Sequence, residues 1–175
     1  MQNLRLRVMR DQDVPAVAEL NRNAVPAVND VGEEGVAHLR DLCDVQLVAT
    51  EPSGRVIAFL LSMGTGQAYD SENYQYFEKE GLRHQYVDRI VVSPTAKGTG
   101  VGRALYQSVI ERARERGLNE VTCEVNTEPP NPGSRAFHER LGFRQVGEQS
   151  VGEGPSRKTV ALLALSVYDA QHLGN

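Results

Sequence analysis

Residues 86–106 read YVDRIVVSPTAKGTGVGRALY. The first eight, YVDRIVVS, are rich in β-branched residues and read as a strand, buried on both faces near its end. Gly98, Gly100 and Gly102 then alternate just ahead of a predicted helix, from about Arg103 to Arg116, stopped at Gly117. The apolar positions Leu105, Val109, Ile110 and Ala113 fall on one face of that helix. Glycine permits positive φ and lets another group approach bare backbone. A glycine turn feeding a helix also points unpartnered amides outward, at the positive end of the helix dipole. Such a turn suits phosphate or another anion.

Upstream, LRLRVMR (4–10) alternates as a strand. Asp11 or Asp13 is placed to cap a helix that has Pro15 near its start and runs through VAELNRN. A second helix is expected over Glu33–Leu42. VQLVATE (45–51), the turn PSGR and VIAFLLSM (56–63) form a hairpin. Residues 64–85 are polar, tyrosine-rich and expected to be irregular. Downstream, VTCEVN (121–126) is a strand whose odd positions are apolar, while Thr122, Glu124 and Asn126 point the other way. A proline-rich loop, TEPPNPG, leads to a short helix, SRAFHERL, ending at Gly142. FRQVGEQ and KTVALLALSV are the last strands. The expected order is therefore β α α β β β α β α β β. Strand 86–93, its helix and strand 121–126 form a parallel βαβ unit, with the glycine loop at the carboxyl end of a central strand.

Composition narrows the function. The chain has 175 residues, 40% hydrophobic and 24% charged, as expected of one domain spanning 1–175. Net charge is −4 with no basic run, which argues against nucleic acid as a partner. Cys43 and Cys123 stand apart from each other and from any CxxC or histidine pattern, so neither a disulfide framework nor a metal site is expected. No secretory leader and no stretch of membrane length is legible, and the expected location is cytoplasmic. A P-loop would need GxxxxGK[ST], which does not occur; a dinucleotide fingerprint would need GxGxxG, where this chain has GxGxG.

Two motifs point to one family. Lys97-x-x-Gly100-x-Gly102 resembles the Gln/Arg-x-x-Gly-x-Gly/Ala motif of the GNAT N-acetyltransferases, with IVVSP before it and RALY after it. Asn131, Ala136-Phe137 and Leu141-Gly142-Phe143 resemble that family's Asn…Ala-x-x-(Phe/Leu)-Tyr-x-x-x-Gly-Phe segment. The element order is similar over essentially the whole chain. The resemblance implies a mixed α/β fold: a mostly antiparallel sheet of about six or seven strands, splayed between the fourth and fifth, flanked by about four helices.

The resemblance also implies acetyl-CoA. Amides of Lys97, Gly98, Thr99, Gly100, Val101, Gly102 and Arg103 would hold its pyrophosphate, and Ile90, Val91 and Val92 would pair with pantetheine. Asn131 and Phe137 would contact the CoA arm; Asn131, or Ser134 in its place, is equally placed to cap the helix SRAFHERL. Lys97 stands where Gln or Arg is usual, keeping charge but losing the guanidinium fork.

His138 departs from the family's tyrosine. It is a candidate acid or sulfur contact, with an ordinary pKa of about 6.5, or else a packing residue. Removing a proton from an amine of pKa about 10.4 calls for a base, and Glu124 and Asp88 are the candidates unless they serve in ion pairs. In the family the acceptor is read by the first two helices and the segment between the third and fourth strands. Here Asn29, Tyr69, Tyr74, Tyr86 and Asn126 are candidates, with Asp70, Glu72, Glu78 and Glu80 nearby to suit a cationic amine. The alternative is that the tyrosines fold the segment onto the core. The resemblance implies an N-acetyltransferase using a small-molecule or peptide amine, without metal or membrane, with the last strands available for a homodimer. A non-catalytic CoA-binding sensor and a nucleotide-binding interaction domain are the rival readings.

Overall fold

The computed structural model describes residues 3–170. The elements run β1 (Arg5–Val8), α1 (Val14–Asn23), α2 (Gly32–Leu42), β2 (Val45–Thr50), β3 (Val56–Gly64), α3 (Glu72–Lys79), β4 (His84–Val92), α4 (Val101–Glu115), β5 (Glu120–Glu128), α5 (Pro132–Leu141), β6 (Arg144–Val151) and β7 (Lys158–Ser166). The strands form one mixed sheet in the order β1-β2-β3-β4-β5-β7-β6. The single parallel pair given by the register, β4 with β5, runs from His84↔Glu120 to Tyr86↔Thr122, and both strands continue past it, to Val92 and Glu128. Seven strands and the parallel βαβ unit agree with the sequence reading; among the described residues the helices number five rather than about four.

The chain divides into two compact units. One holds the described residues to Met63 together with Val87–Val109; the other holds Gly64–Tyr86 and the described residues from Ile110 onward.

In the first unit, β1, β2 and β3 form an antiparallel meander, with Leu6 opposite Ala49 and Val48 opposite Phe59. Val48, Ala49 and Phe59 are wholly buried, as are Val17 of α1 and Val36 of α2, so one face of each helix is spent on this core. Asp13 stands at the N-cap of α1 but makes no capping bond. Its carboxylate instead accepts two bonds from Arg7, at 2.6 and 2.8 Å, and one from the Arg10 amide at 2.8 Å. The Arg7 bonds hold the Asp13 carboxyl below its ordinary range, against the opposing effect of burial. This replaces the expected cap with a clamp between β1 and α1.

In the second unit, β5, β7 and β6 are antiparallel, with Cys123 opposite Leu163 and Gln149 opposite Val160. The segment expected to be irregular contains α3, and β4 begins two residues earlier than read, at His84. Ser71 caps α3 by accepting from the Tyr74 amide, and the chain turns out at Gly81 with φ 68°. Tyr74 and Phe77, three apart, form its buried face. Asn131 caps α5, its side chain accepting from the Ser134 amide at 3.3 Å, and Gly142 ends that helix with φ 97°.

Candidate active site

The glycine loop lies in the first unit. β4 ends at Val92, Pro94–Ala96 make a 3-10 turn, and α4 opens at Val101. Thr99 Oγ1 donates to the Ala96 carbonyl at 2.6 Å and closes the turn. Gly98 and Gly100 sit at φ 79° and 86°, where a side chain would strain the backbone. A Cβ built on either meets nothing within 4 Å, so the space above the loop stands clear of protein. The helical ladder opens with the Ala104 amide donating to the Gly100 carbonyl at 3.1 Å, which leaves the amides of Val101 and Gly102 outside it. Lys97, Gly98, Thr99 and Gly100 are exposed; Val101 and Gly102 are buried. The loop therefore offers bare backbone, helix-end amides and one lysine, a set that fits a diphosphate.

Asp88 and Arg89 are also in this unit. Asp88 Oδ2 accepts from Arg89 Nε at 2.7 Å, with side chains 3% and 5% exposed. Arg89 further donates to Asn21 Oδ1 at 3.0 Å, and to the Asn29 carbonyl and Oδ1 at 3.2 Å each. Asp88 thus takes the ion-pair role that the sequence left open. Asn29 is held from both of its oxygens as the anchor of the stretch after α1, and Asn21 Nδ2 also donates to its carbonyl at 2.9 Å.

The second unit carries a polar face on the β4–β5 pair. His84 and Tyr86 share one face of β4, and Thr122, Glu124 and Asn126 share one face of β5. His84 is wholly buried, with Nδ1 2.7 Å from Thr122 Oγ1 and Nε2 2.7 Å from Glu78 Oε1. Burial pushes the His84 imidazole below its ordinary pKa, against the pull of Glu78. Burial pushes Glu78 upward, but bonds from His84, Thr65 and the Gly66 amide together hold it below the usual range. Tyr86 is wholly buried, and its hydroxyl donates to Glu124 Oε2 at 2.7 Å. Glu124 itself is half-buried.

Tyr74 requires a correction. It was expected to line the acceptor pocket, but it is wholly buried. Its hydroxyl donates to the Gly64 carbonyl at 2.8 Å and accepts from the Gln67 amide at 2.9 Å. Burial drives its pKa to about 12. Tyr69 is half-buried, its ring 5.7 Å from that of Tyr74. Asn126 is buried, and its carbonyl accepts from the Asn131 amide at 3.2 Å.

His138 is buried between Phe137 and Phe143, with ring centroids 5.3 Å from each. Its Nδ1 lies 2.7 Å from the Ser134 carbonyl. A carbonyl only accepts, so Nδ1 carries the proton and the neutral imidazole has none on Nε2. Burial lowers its pKa, outweighing the Ser134 bond that raises it. The expected proton donor is therefore a neutral, packed imidazole.

Sequence reading missed the Glu78–His84–Thr122 chain and the Tyr86–Glu124 bond. Extending the period-two pattern of β4 upstream by two residues would have placed His84 beside Tyr86 on one face. Nothing in the sequence shows which residue of β5 lies across from them.

A glycine loop at the carboxyl end of a strand and opening a helix, in a chain with a mixed sheet, defines an anion-cradling α/β protein. Residues 16–143 match the model of the Acetyltransferase (GNAT) family. The chain belongs to the GNAT acetyltransferase family. It is 25% identical over 146 residues to the glucosamine 6-phosphate N-acetyltransferase of Trypanosoma brucei brucei, spanning 81% of this chain and 90% of that protein. It is 28% identical over 151 residues to the phosphinothricin N-acetyltransferase of Alcaligenes faecalis, spanning 84% and 74%. Its fold is shared with a GNAT superfamily phosphinothricin acetyltransferase from Sinorhizobium meliloti, solved in complex with acetyl-CoA. That match has a TM-score of 0.70 and 20% identity over 93% of this chain and 88% of that one.

Proposed function

We propose that this chain is an N-acetyltransferase that moves the acetyl group of acetyl-CoA directly to a primary amine. The observation that carries the reading is the loop Lys97–Arg103, with glycines at positive φ and open space above them. Its amides and Lys97 take the diphosphate, and the backbone of Ile90, Val91 and Val92 takes the pantetheine arm. Asn131 and Phe137 are assigned to the same cosubstrate; Asn131 does so while capping α5. Acetyl-CoA supplies an activated acyl group: the amine nitrogen attacks the thioester carbonyl, the C–N bond forms, the C–S bond breaks, and thiolate leaves. A backbone amide near Val92 serves the developing oxyanion. Glu124 receives the amine proton. It is preferred over Asp88 because Asp88 is closed from solvent and committed to Arg89. The thiolate of CoA, with an ordinary thiol pKa of about 8.5, leaves without a strong acid, which suits a neutral His138.

The acceptor is a small-molecule or peptide amine. The named relatives are N-acetyltransferases of glucosamine 6-phosphate and of phosphinothricin, both small-molecule amines. Net charge −4 favours such partners over nucleic acid. Of the acceptor residues, Asn29, Tyr69 and Asn126 are retained. The family match extends through both units, which supports residues 1–175 acting as one catalytic domain. Cys43 and Cys123, both buried and neither in a disulfide, suit a reducing, cytoplasmic location. A homodimer, where formed, uses the last strands. Among the described residues no helix is long and apolar enough to cross a membrane.

Calorimetric titration with acetyl-CoA, with NAD and ATP as controls, tests the loop's role. Wild type is expected to bind acetyl-CoA at micromolar concentration and a folded Gly100→Glu variant to lose it. Preference for NAD or ATP, or undiminished binding by the variant, would overturn the assignment.

A further inference from the structure

Tyr86 was expected to touch the acceptor, yet it is wholly buried and its hydroxyl points at a carboxylate. Resting on the reading of Glu124 as the base, we propose that Tyr86 is a positioning residue, fixing the Glu124 carboxylate in the orientation that receives the amine proton. The bond is short, 2.7 Å from Tyr86 Oη to Glu124 Oε2, as charge-assisted bonds are. The strand register explains the reach. Tyr86 pairs with Thr122, and Glu124 is the next residue on that face of β5, so the phenol spans the diagonal between neighbouring strands.

The ring that carries the hydroxyl is held from several sides. Tyr74 meets it edge-on, with centroids 5.4 Å apart and planes at 68°. Phe77 of α3 lies 6.1 Å away and His84 6.5 Å away. Two of these supports are themselves pinned. Tyr74 is bonded to Gly64 and Gln67, and His84 to Glu78 and Thr122. α3 thus acts as a brace behind Tyr86, and the phenol has no room to swing. A glutamate on a strand ordinarily samples several rotamers. Tied to a fixed phenol, it presents one arrangement to the amine. Phenylalanine would fill the same space, so packing alone does not explain the buried hydroxyl.

A double-mutant cycle in steady-state acetyl transfer separates positioning from packing. Tyr86→Phe keeps the ring and removes only the hydroxyl. It is expected to lower kcat about tenfold, within the range that a misplaced catalytic group costs, with KM for acetyl-CoA unchanged. Glu124→Gln should lower kcat about a hundredfold or more, and adding Tyr86→Phe to it should change kcat by less than about twofold. Glu124→Asp, one methylene short of the phenol, offers a second route if Tyr86→Phe folds poorly: its kcat should fall about tenfold with KM for acetyl-CoA unchanged, and an undiminished kcat would count against positioning. If Tyr86→Phe leaves kcat unchanged, or its loss simply adds to that of Glu124→Gln, the positioning role fails while the base survives. If Glu124→Gln itself retains wild-type kcat, the base assignment fails, and the role of Tyr86 with it.

Discussion

His138 carries its proton on Nδ1, because the group 2.7 Å away is a carbonyl. The sequence showed only that an imidazole replaces the family's tyrosine. It did not show the contact with Phe143, which reaches His138 only once α5 has ended at Gly142. The consequence for pH follows from linkage. Both His138 and His84 have pKa values lowered by burial. In the unfolded chain they protonate below about 6.5, so unfolding takes up protons in that range. Their contribution is complete above about 6.5 and is lost as pH falls from there toward the depressed native values. Glu78, held below its ordinary value, contributes above about 4.5 and loses that contribution at lower pH. Urea unfolding followed from pH 7.5 to 5.5 should therefore show falling stability, and His138→Gln should flatten part of the slope. A flat wild-type profile would contradict the neutral, buried assignment of both histidines.

At the scale of elements, α3 shows where sequence reading stopped. Its strand and helix neighbours carried long apolar periods; α3 spans only Glu72–Lys79 and exposes much of its surface, so its period was too short to stand out. Its signals were the Ser71 cap, the Tyr74–Phe77 spacing and Gly81, each weak alone. The tyrosines of the segment suggested a pocket, and burial divides them. Tyr74 closes the segment through two backbone bonds. Tyr74→Phe leaves the buried Gly64 carbonyl and the part-buried Gln67 amide without this partner, and is expected to cost about 1–3 kcal/mol. The KM for the amine should stay unchanged, because the hydroxyl faces Gly64 and Gln67 rather than ligand. A variant with full stability and a raised amine KM would restore Tyr74 to the acceptor site. The glycine loop, by contrast, was legible throughout, since alternation of glycines between a strand and a helix is a local pattern that needs no partner strand.

For the whole molecule, the order of strands and helices was readable because periods of two and 3.6 change at Gly and Pro. The order across the sheet, β1-β2-β3-β4-β5-β7-β6, was not legible: periodicity does not give it, and the family resemblance implied only a mostly antiparallel sheet splayed between the fourth and fifth strands. What stayed hidden was pairing across distance: Tyr86 and Glu124 are 38 residues apart, and only the parallel register joins them. The activity proposed for this chain is acetyl transfer from acetyl-CoA to an amine. It is tested most directly by following free CoA thiol while the protein is offered acetyl-CoA with a panel of primary amines. The panel should include glucosamine 6-phosphate, phosphinothricin and free amino acids. Thiol should appear only when acetyl-CoA and an accepted amine are both present, in step with N-acetylated product. Tight acetyl-CoA binding with no thiol released across the panel would contradict it and leave a sensor in place of an enzyme.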